Sequence, residues 1–201
     1  KVIGYREALI LPKAPKKMVI IGSGAIGVEF AYFYNAMGVD VTIIEFMSNI
    51  VPVEDVDISK QLGRLLKKSG IKIMTNSSVE NINTKSKGCK VSIKKKKGEE
   101  IINCDIVLSA IGITANIEDI GLEEVGIKTE NGKIIVDDYY NTNISGYYAI
   151  GDVLDTQALA HVASAEGITC VEKIAGHNPI PIDYNNIPGC TYTNPEIASV
   201  G

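Results

Sequence analysis

Gly22-Ser23-Gly24-Ala25-Ile26-Gly27 places glycine at the first, third and sixth positions of a six-residue run. That spacing suits the binding of a pyrophosphate. The first glycine permits a tight turn, and the second lets the backbone approach the phosphates. The third lets the following helix pack closely on the preceding strand. Amide groups of the first helical turn, Ala25 to Val28, then point at the anion, aided by the positive end of the helix dipole. Alone the pattern is weak in a chain with 19 glycines. Its context strengthens it: an apolar run, Met18 to Gly22, precedes it, and a helix-forming run follows.

Glu45 lies 18 residues beyond Gly27, at the end of the next apolar run. A carboxylate there accepts hydrogen bonds from ribose hydroxyls and repels a 2′-phosphate. No arginine stands in residues 45–52 to receive such a phosphate. The pair of features therefore points to NAD rather than NADP. Glu29, two residues past Gly27, is open to two readings: a group facing the ribose or nicotinamide, or an ordinary surface glutamate of the helix.

The remaining reactive side chains imply little chemistry. Cys89, Cys104, Cys170 and Cys190 include no C-x-x-C or C-x-x-x-x-C spacing, and small buried hydrophobes are the expectation. His161 and His177 are not near a cysteine pair, so no metal site is expected. Lys94 to Lys97 reads as a solvated hairpin end rather than a phosphate-binding patch.

The elements that must hold these residues can be read from periodicity. Met18–Gly22, Val39–Glu45 and Ile71–Met74 read as buried strands. Ala25–Met37 and Asp57–Ser69 read as helices, closed by Gly38 and Gly70. Strand–helix–strand–helix–strand implies a parallel sheet with right-handed crossovers. Segments at Val79–Asn83, Lys90–Lys94 and Glu100–Asn103 alternate with period two. They predict a three-stranded antiparallel meander, with turns at Ser86–Gly88 and Lys97–Gly98. Asp105–Ala110 is expected to rejoin the parallel sheet. Ile134–Val136 and Tyr147–Ile150 are expected as short strands, Gln157–Ala175 as a helix, and Cys190–Thr193 as a strand without a partner of its own. The fold class is thus α/β, a Rossmann-like parallel sheet with an antiparallel three-stranded meander, of the FAD/NAD(P)-binding type.

The chain of 201 residues is 45% hydrophobic and 22% charged, with a net charge of −4. This suits a globular protein and gives no electrostatic case for nucleic acid or anionic membrane. No apolar run approaches the ~20 residues that span a bilayer. A reducing cytoplasm is the expected location.

Five ordered strings resemble one family, the pyridine nucleotide–disulfide oxidoreductases. Gly22 to Ala31 (GSGAIGVEFA) resembles its NAD loop, glutamate included, and Ser109-Ala110-Ile111-Gly112 the segment passing over NAD. Tyr148-Ala149-Ile150-Gly151-Asp152 resembles its second FAD motif. Ala158-Leu159-Ala160-His161 with Ala165-Glu166-Gly167 resembles its flavin-abutting helix. Ile187-Pro188, Tyr192-Thr193-Asn194-Pro195-Glu196 and Val200-Gly201 resemble the opening of its interface domain. The resemblance implies NAD contacts from Gly22, Ser23, Gly24, Ala25, Ile26, Gly27 and Val28, with Glu29 near the nicotinamide ribose. It implies Glu45 on the adenine ribose, Val79 near the adenine and Gly112 near the nicotinamide half. It also implies Asp152 on the FAD ribityl chain, and Ala158, Leu159, Ala160 and His161 at the flavin ring. For the His161 imidazole, a capping or core role is favoured over chemistry.

Within the family, Glu45 and Ala158–His161 are similar to the members that oxidise dihydrolipoamide through a redox disulfide and FAD with reduction of NAD. NADH-oxidising members are the nearest alternative, and a stand-alone NAD-binding module is another. Family members carry a C-x-x-x-x-C pair, a first FAD glycine loop and a His–Glu acid–base pair. None of these occurs here, so no catalytic residue is assigned. The chain is expected to be an internal segment, not competent for catalysis by itself. The implied domains are a connector (1–14), an NAD-binding domain (15–142), part of an FAD domain (143–186) and the start of an interface domain (187–201). The implied partners are NAD/NADH, a second copy in a homodimer, and a 2-oxoacid dehydrogenase or glycine cleavage complex. Residues from 143 onward are expected to leave apolar surface from Ile150, Leu159 and Val162 exposed or to bury it against another chain.

Overall fold

A computed structural model describes residues 1–85, 87–96 and 98–201. Ser86 and Lys97, and with them part of both expected meander turns and the end of the lysine run, lie outside the described residues. The chain divides into two compact units, Lys1–Gly112 with Gly189–Ser199, and Ile113–Pro188 with Val200–Gly201.

In the first unit the order is β1 (Val2–Ile3), α1 (Tyr5–Leu9), β2 (Lys17–Ile21), α2 (Ala25–Ala36), β3 (Asp40–Ile44), α3 (Val56–Lys68) and β4 (Lys72–Met74). Then come β5 (Ser77–Asn83), β6 (Cys89–Lys95), β7 (Gly98–Cys104) and β8 (Ile106–Ser109). Five strands form a parallel sheet in the order β1-β8-β2-β3-β4. The meander β5-β6-β7 is antiparallel. The segment at Ile106–Ser109 rejoins the parallel sheet, as its apolar run predicts. It does so between β2 and an N-terminal strand, β1, that the sequence reading leaves as connector.

Alternation along each strand sends side chains to two buried faces, as a doubly covered parallel sheet requires. Met18 and Ile20 of β2, Val41 and Ile43 of β3, and Leu108 of β8 pack with Val28, Ala31 and Tyr34 of α2 and Leu62 and Leu66 of α3. Val19, Ile44 and Val107 face the other way, onto Cys89, Val91, Ile93 and Cys104 of the meander. The sheet thus lies between helices and meander. Asp55 caps α3 by accepting from the amides of Asp57 (2.8 Å) and Ile58 (3.3 Å). The Tyr34 hydroxyl donates to the Ala8 carbonyl, tying α1 to α2.

The second unit contains α4 (Leu122–Val125), β9 (Thr129–Glu130), β10 (Lys133–Ile134) and α5 (Ala160–Ile174). Its core gathers Ile134, Tyr140, Ala149, Leu154 and Cys170. Here the structure corrects four expectations. The strand expected at Ile134–Val136 ends at Ile134 and is half of a hairpin, because Asn131 and Gly132 both take positive φ and reverse the chain. Tyr147–Ile150 forms one bridge, Asn141 to Tyr148, and no ladder; left-handed Gly146 and Gly151 bound it on either side. The helix begins at Ala160 rather than Gln157. Leu159 is extended and donates to the Gln157 carbonyl (2.8 Å), which holds residues 157–159 outside the helix. Val162 is buried, on the α5 face of Glu166, Thr169 and Cys170, while Leu159 is half-buried and Ile150 exposed. A fifth correction concerns the C-terminal strand. It runs over Pro188–Thr191 (β11) and has a partner in the chain, β12 (Ile197–Val200).

Two measurements test this packing. Leu62→Ala removes a side chain only 1% exposed, and a loss of about 2–5 kcal/mol in denaturant unfolding is expected. The Cys104 thiol is pushed up to about 11, first by burial and then by the neighbouring Cys89. A raised pKa means that the folded state keeps a proton the unfolded chain releases. The contribution is therefore complete below pH ~9 and lost as pH rises toward ~11. Cys104→Ala should show a shallower fall in stability across that interval than the wild type.

Candidate functional site

The glycine loop follows β2 at the carboxyl edge of the sheet, where α/β folds bind ligands. Gly22 sits at φ +95, and a Cβ there would overlap the Ala110 carbonyl. A Cβ on Gly27 would overlap the Gly22 carbonyl. Both glycines are thus required by the protein's own packing. Gly24 differs: a Cβ there would meet nothing within 4 Å, so the space beside it is open to a ligand. The first bond inside α2 runs from the Val28 amide to the Gly24 carbonyl. The amides of Ala25, Ile26 and Gly27 therefore have no partner within the helix, as at any helix start.

Glu45 directly follows β3 and is only 6% exposed. Its Oε2 accepts from the Ser23 amide (2.9 Å) and the Ser23 hydroxyl (2.6 Å), and its Oε1 accepts from the Met47 amide (2.7 Å). Its backbone is equally engaged, donating to the Met74 carbonyl and accepting from the Ser77 amide. The sequence reading gives Glu45 to a ribose. The structure adds a second duty, holding the glycine loop at the sheet edge.

A cavity of about 520 Å³ opens here, and Gly22, Ser23, Gly24, Glu45, Val79 and Gly112 all line it. Ile111, from the segment expected to pass over NAD, is on its wall too, together with Phe46, Pro52, Ser77 and Ser78, which the sequence did not single out. Ser77 and Ser78 directly precede Val79, and Phe46 directly follows Glu45, so adjacency was the available signal. The structure does not bring Glu29 to this cavity. Its Oε1 accepts from the Tyr192 amide (2.8 Å), and it lines a separate groove with Ile26, Phe30 and Phe33. Through this contact the carboxylate anchors a segment of the same unit that is distant in sequence.

In the second unit, Gly151 adopts φ +75 ahead of exposed Asp152. Glu166, fully buried, fixes that turn. Its Oε2 accepts from the Gly151 amide, and its Oε1 accepts from the hydroxyls of Thr156 (2.9 Å) and Tyr184 (2.9 Å). Because Tyr184 donates to Glu166, Tyr140 must donate to Tyr184 across 3.0 Å. Burial, reinforced by these hydrogen bonds to Tyr140 and Glu166, pushes the Tyr184 phenol far above the usual range. At the start of α5 the first helical bond is from Ala163 to Leu159, which leaves the amides of Ala160, His161 and Val162 without helical partners. Ala158, Ala160 and His161 are exposed and Leu159 half-buried. His161 Nε2 lies 3.0 Å from the Pro188 carbonyl, so the tautomer protonated there donates to it. Among the described residues no group of His, Cys, Asp and Glu could hold a metal ion, and no helix is long and apolar enough to cross a membrane.

The pyridine nucleotide-disulphide oxidoreductase family model matches residues 1–167. The dihydrolipoyl dehydrogenase of Rhizobium etli is 46% identical over 199 residues, covering 98% of this chain and 41% of that protein. The dihydrolipoyl dehydrogenase of Zymomonas mobilis is 44% identical, covering 98% and 43%. The HOCl-induced flavoprotein disulfide reductase RclA of Escherichia coli superposes with a TM-score of 0.91 at 26% identity, over 100% of this chain and 46% of that one. The chain therefore spans about two-fifths of the length of the curated relatives it matches.

The clamp on the glycine loop has a measurable weight. Glu45→Gln puts an amide NH₂ against either the Ser23 or the Met47 donor. One buried donor then goes unpaired, at a cost of about 1–3 kcal/mol. Denaturant unfolding without nucleotide should register that loss; a variant as stable as wild type would mean the clamp is not formed.

Proposed function

This chain belongs to the pyridine nucleotide-disulphide oxidoreductase family, and we propose that it is the NAD-binding portion of a dihydrolipoyl dehydrogenase. Such an enzyme oxidises dihydrolipoamide through a redox disulfide and FAD with reduction of NAD. The observation that carries the reading is the convergence of Gly22, Ser23, Gly24, Glu45, Val79 and Gly112 on one cavity at the carboxyl edge of the sheet. The names of the relatives support the substrate class.

The residues present fit a dinucleotide, because open space at Gly24 adjoins the unpartnered amides of the first turn of α2. Those amides, from Ala25 to Gly27, would hold the pyrophosphate, with Val28 completing the turn. Glu45 would accept from the adenine ribose with the Oε1 lone pair its protein donors leave, and would repel a 2′-phosphate. Val79 would pack on the adenine, and Gly112 would bring backbone close to the nicotinamide half. Glu29 Oε2, which has no hydrogen-bond partner among the described residues, would reach the nicotinamide ribose. In the second unit Asp152 would bond the ribityl chain of FAD. The amides at Ala160 and His161, after Ala158 and Leu159, would face the flavin ring, where a helix start favours negative charge. When bound, the two cofactors supply the hydride and electron transfer; this chain's residues bind, orient and hold charge. The 201 residues contain no cysteine pair in the C-x-x-x-x-C spacing, so turnover would need thiols from outside them. The whole protein would act as a homodimer serving a 2-oxoacid dehydrogenase or glycine cleavage complex.

The test is steady-state assay of the full-length protein with dihydrolipoamide and NAD. NADH formation is expected. Absent turnover together with rapid NADH oxidation by oxygen would move the reading to an NADH oxidase. For the nucleotide site, Glu45→Arg should weaken NAD binding by about 10–150-fold, the loss of a charged acceptor, and relax the bias against NADP. Calorimetric titration that finds both affinities unchanged would remove Glu45 from the site.

A further inference from the structure

The antiparallel register of β6 and β7 sets Cys89 directly opposite Cys104. Fifteen residues separate them in sequence, so the spacing gives no hint of a pair; only the ladder joins them. Directly opposed residues of such a ladder have Cα atoms about 4.5–5.5 Å apart, within the ~4.4–6.8 Å that a disulfide spans. The two side chains share one buried cluster, and the Cys89 thiol lies 3.8 Å from the carbonyl of Asp105, the residue after Cys104. Both are buried, at 1% and 6% exposure, yet they are not equivalent. Cys104 lines a cavity of about 490 Å³ at the amino edge of the sheet, away from the glycine loop, and Cys89 does not. Three lysines, Lys17, Lys72 and Lys95, and two carboxylates, Asp40 and Glu100, share that wall. Lys17 and Lys72 both pair with Asp40, and Lys95 with Glu100.

We propose that Cys89 and Cys104 form a second thiol–disulfide site, oxidised by a small anionic disulfide that enters this cavity. Cys104 is the reachable thiol and Cys89 the resolving one. In the first step Cys104 gives up its proton and its sulfur attacks one sulfur of the small disulfide. That S–S bond breaks, one thiolate leaves and takes up a proton, and Cys104 carries a mixed disulfide. In the second step Cys89 loses its proton and attacks the Cys104 sulfur, expelling the other half as a thiol. Two protein thiols lose two electrons and two protons, and one small disulfide becomes two thiols. The protonated state of the buried Cys104 slows the first attack without changing where the equilibrium lies. The second attack is intramolecular, between directly opposed residues of one ladder, so the mixed disulfide does not accumulate.

The experiment treats the reduced protein with oxidised glutathione and maps peptides without reduction. In the wild type a Cys89–Cys104 cross-linked peptide is expected, with two free thiols lost and no glutathione retained on either residue. Cys89→Ser should trap glutathione on Cys104 at least ~10-fold above the wild-type level, since the resolving thiol otherwise acts at millimolar or higher effective concentration. Cys104→Ser should leave Cys89 unmodified. The wild-type mapping decides the matter even if a variant fails to fold. Glutathione found on half-exposed Cys190, with Cys89 and Cys104 still free thiols, would overturn the proposal. So would equal adduct on Cys104 in wild type and Cys89→Ser.

Discussion

A carboxylate taken out of water costs several kcal/mol unless donors replace the solvent. Glu45 is supplied with three, two from Ser23 and one from Met47. Those same bonds pin the glycine loop, whose Gly22 amide also bonds the Ile44 carbonyl. Through its backbone the residue joins the end of β4 to the start of β5. Loop, sheet edge and meander therefore meet at one residue. The position of α2, and so of its unpartnered amides, follows from this node together with the close approach of Gly27 to Gly22.

The sheet makes such a node possible because both of its faces are covered. Helices cover Met18, Ile20, Val41 and Ile43, and the meander covers Val19 and Ile44. Only the strand ends then offer backbone to a ligand, and the carboxyl ends carry the loop. The second unit solves the same problem with a different acid. Fully buried Glu166 receives one amide and two hydroxyls, which fixes the left-handed Gly151 ahead of Asp152. In each unit a buried carboxylate held by three local donors sets a turn next to the residues that face outward.

Much of this was legible in the residues. Periodicity found four of the five parallel strands, both long helices of the first unit and the meander, because each buries a regular apolar face. The glycine loop and Glu45 were legible because few chemistries need that spacing. The misses have physical causes. Val2–Ile3 is too short to show a period and is a strand only because β8 lies beside it. The Asn131-Gly132 hairpin was signalled by its turn residues and overlooked. Tyr147–Ile150 has strand-like residues but lacks a neighbour to complete a ladder. Glu29 is a helix-surface residue whose partner, Tyr192, lies 163 positions away, and no local pattern encodes that contact. The facing of Cys89 and Cys104 depends on register, which spacing does not report.

The strand order also dictates a sequence of events in time. β8 occupies the slot between β1 and β2, yet it emerges from the ribosome after the whole meander, and its partner residues Val2 and Val107 are far apart in the chain. Until it arrives, β2 presents an unpaired edge of apolar residues, the kind of edge that recruits foreign strands. Loop closure over that span is slow. The nascent chain therefore carries that open edge until residues 106–109 leave the ribosome, and the sheet is complete only when β8 fills the slot between β1 and β2.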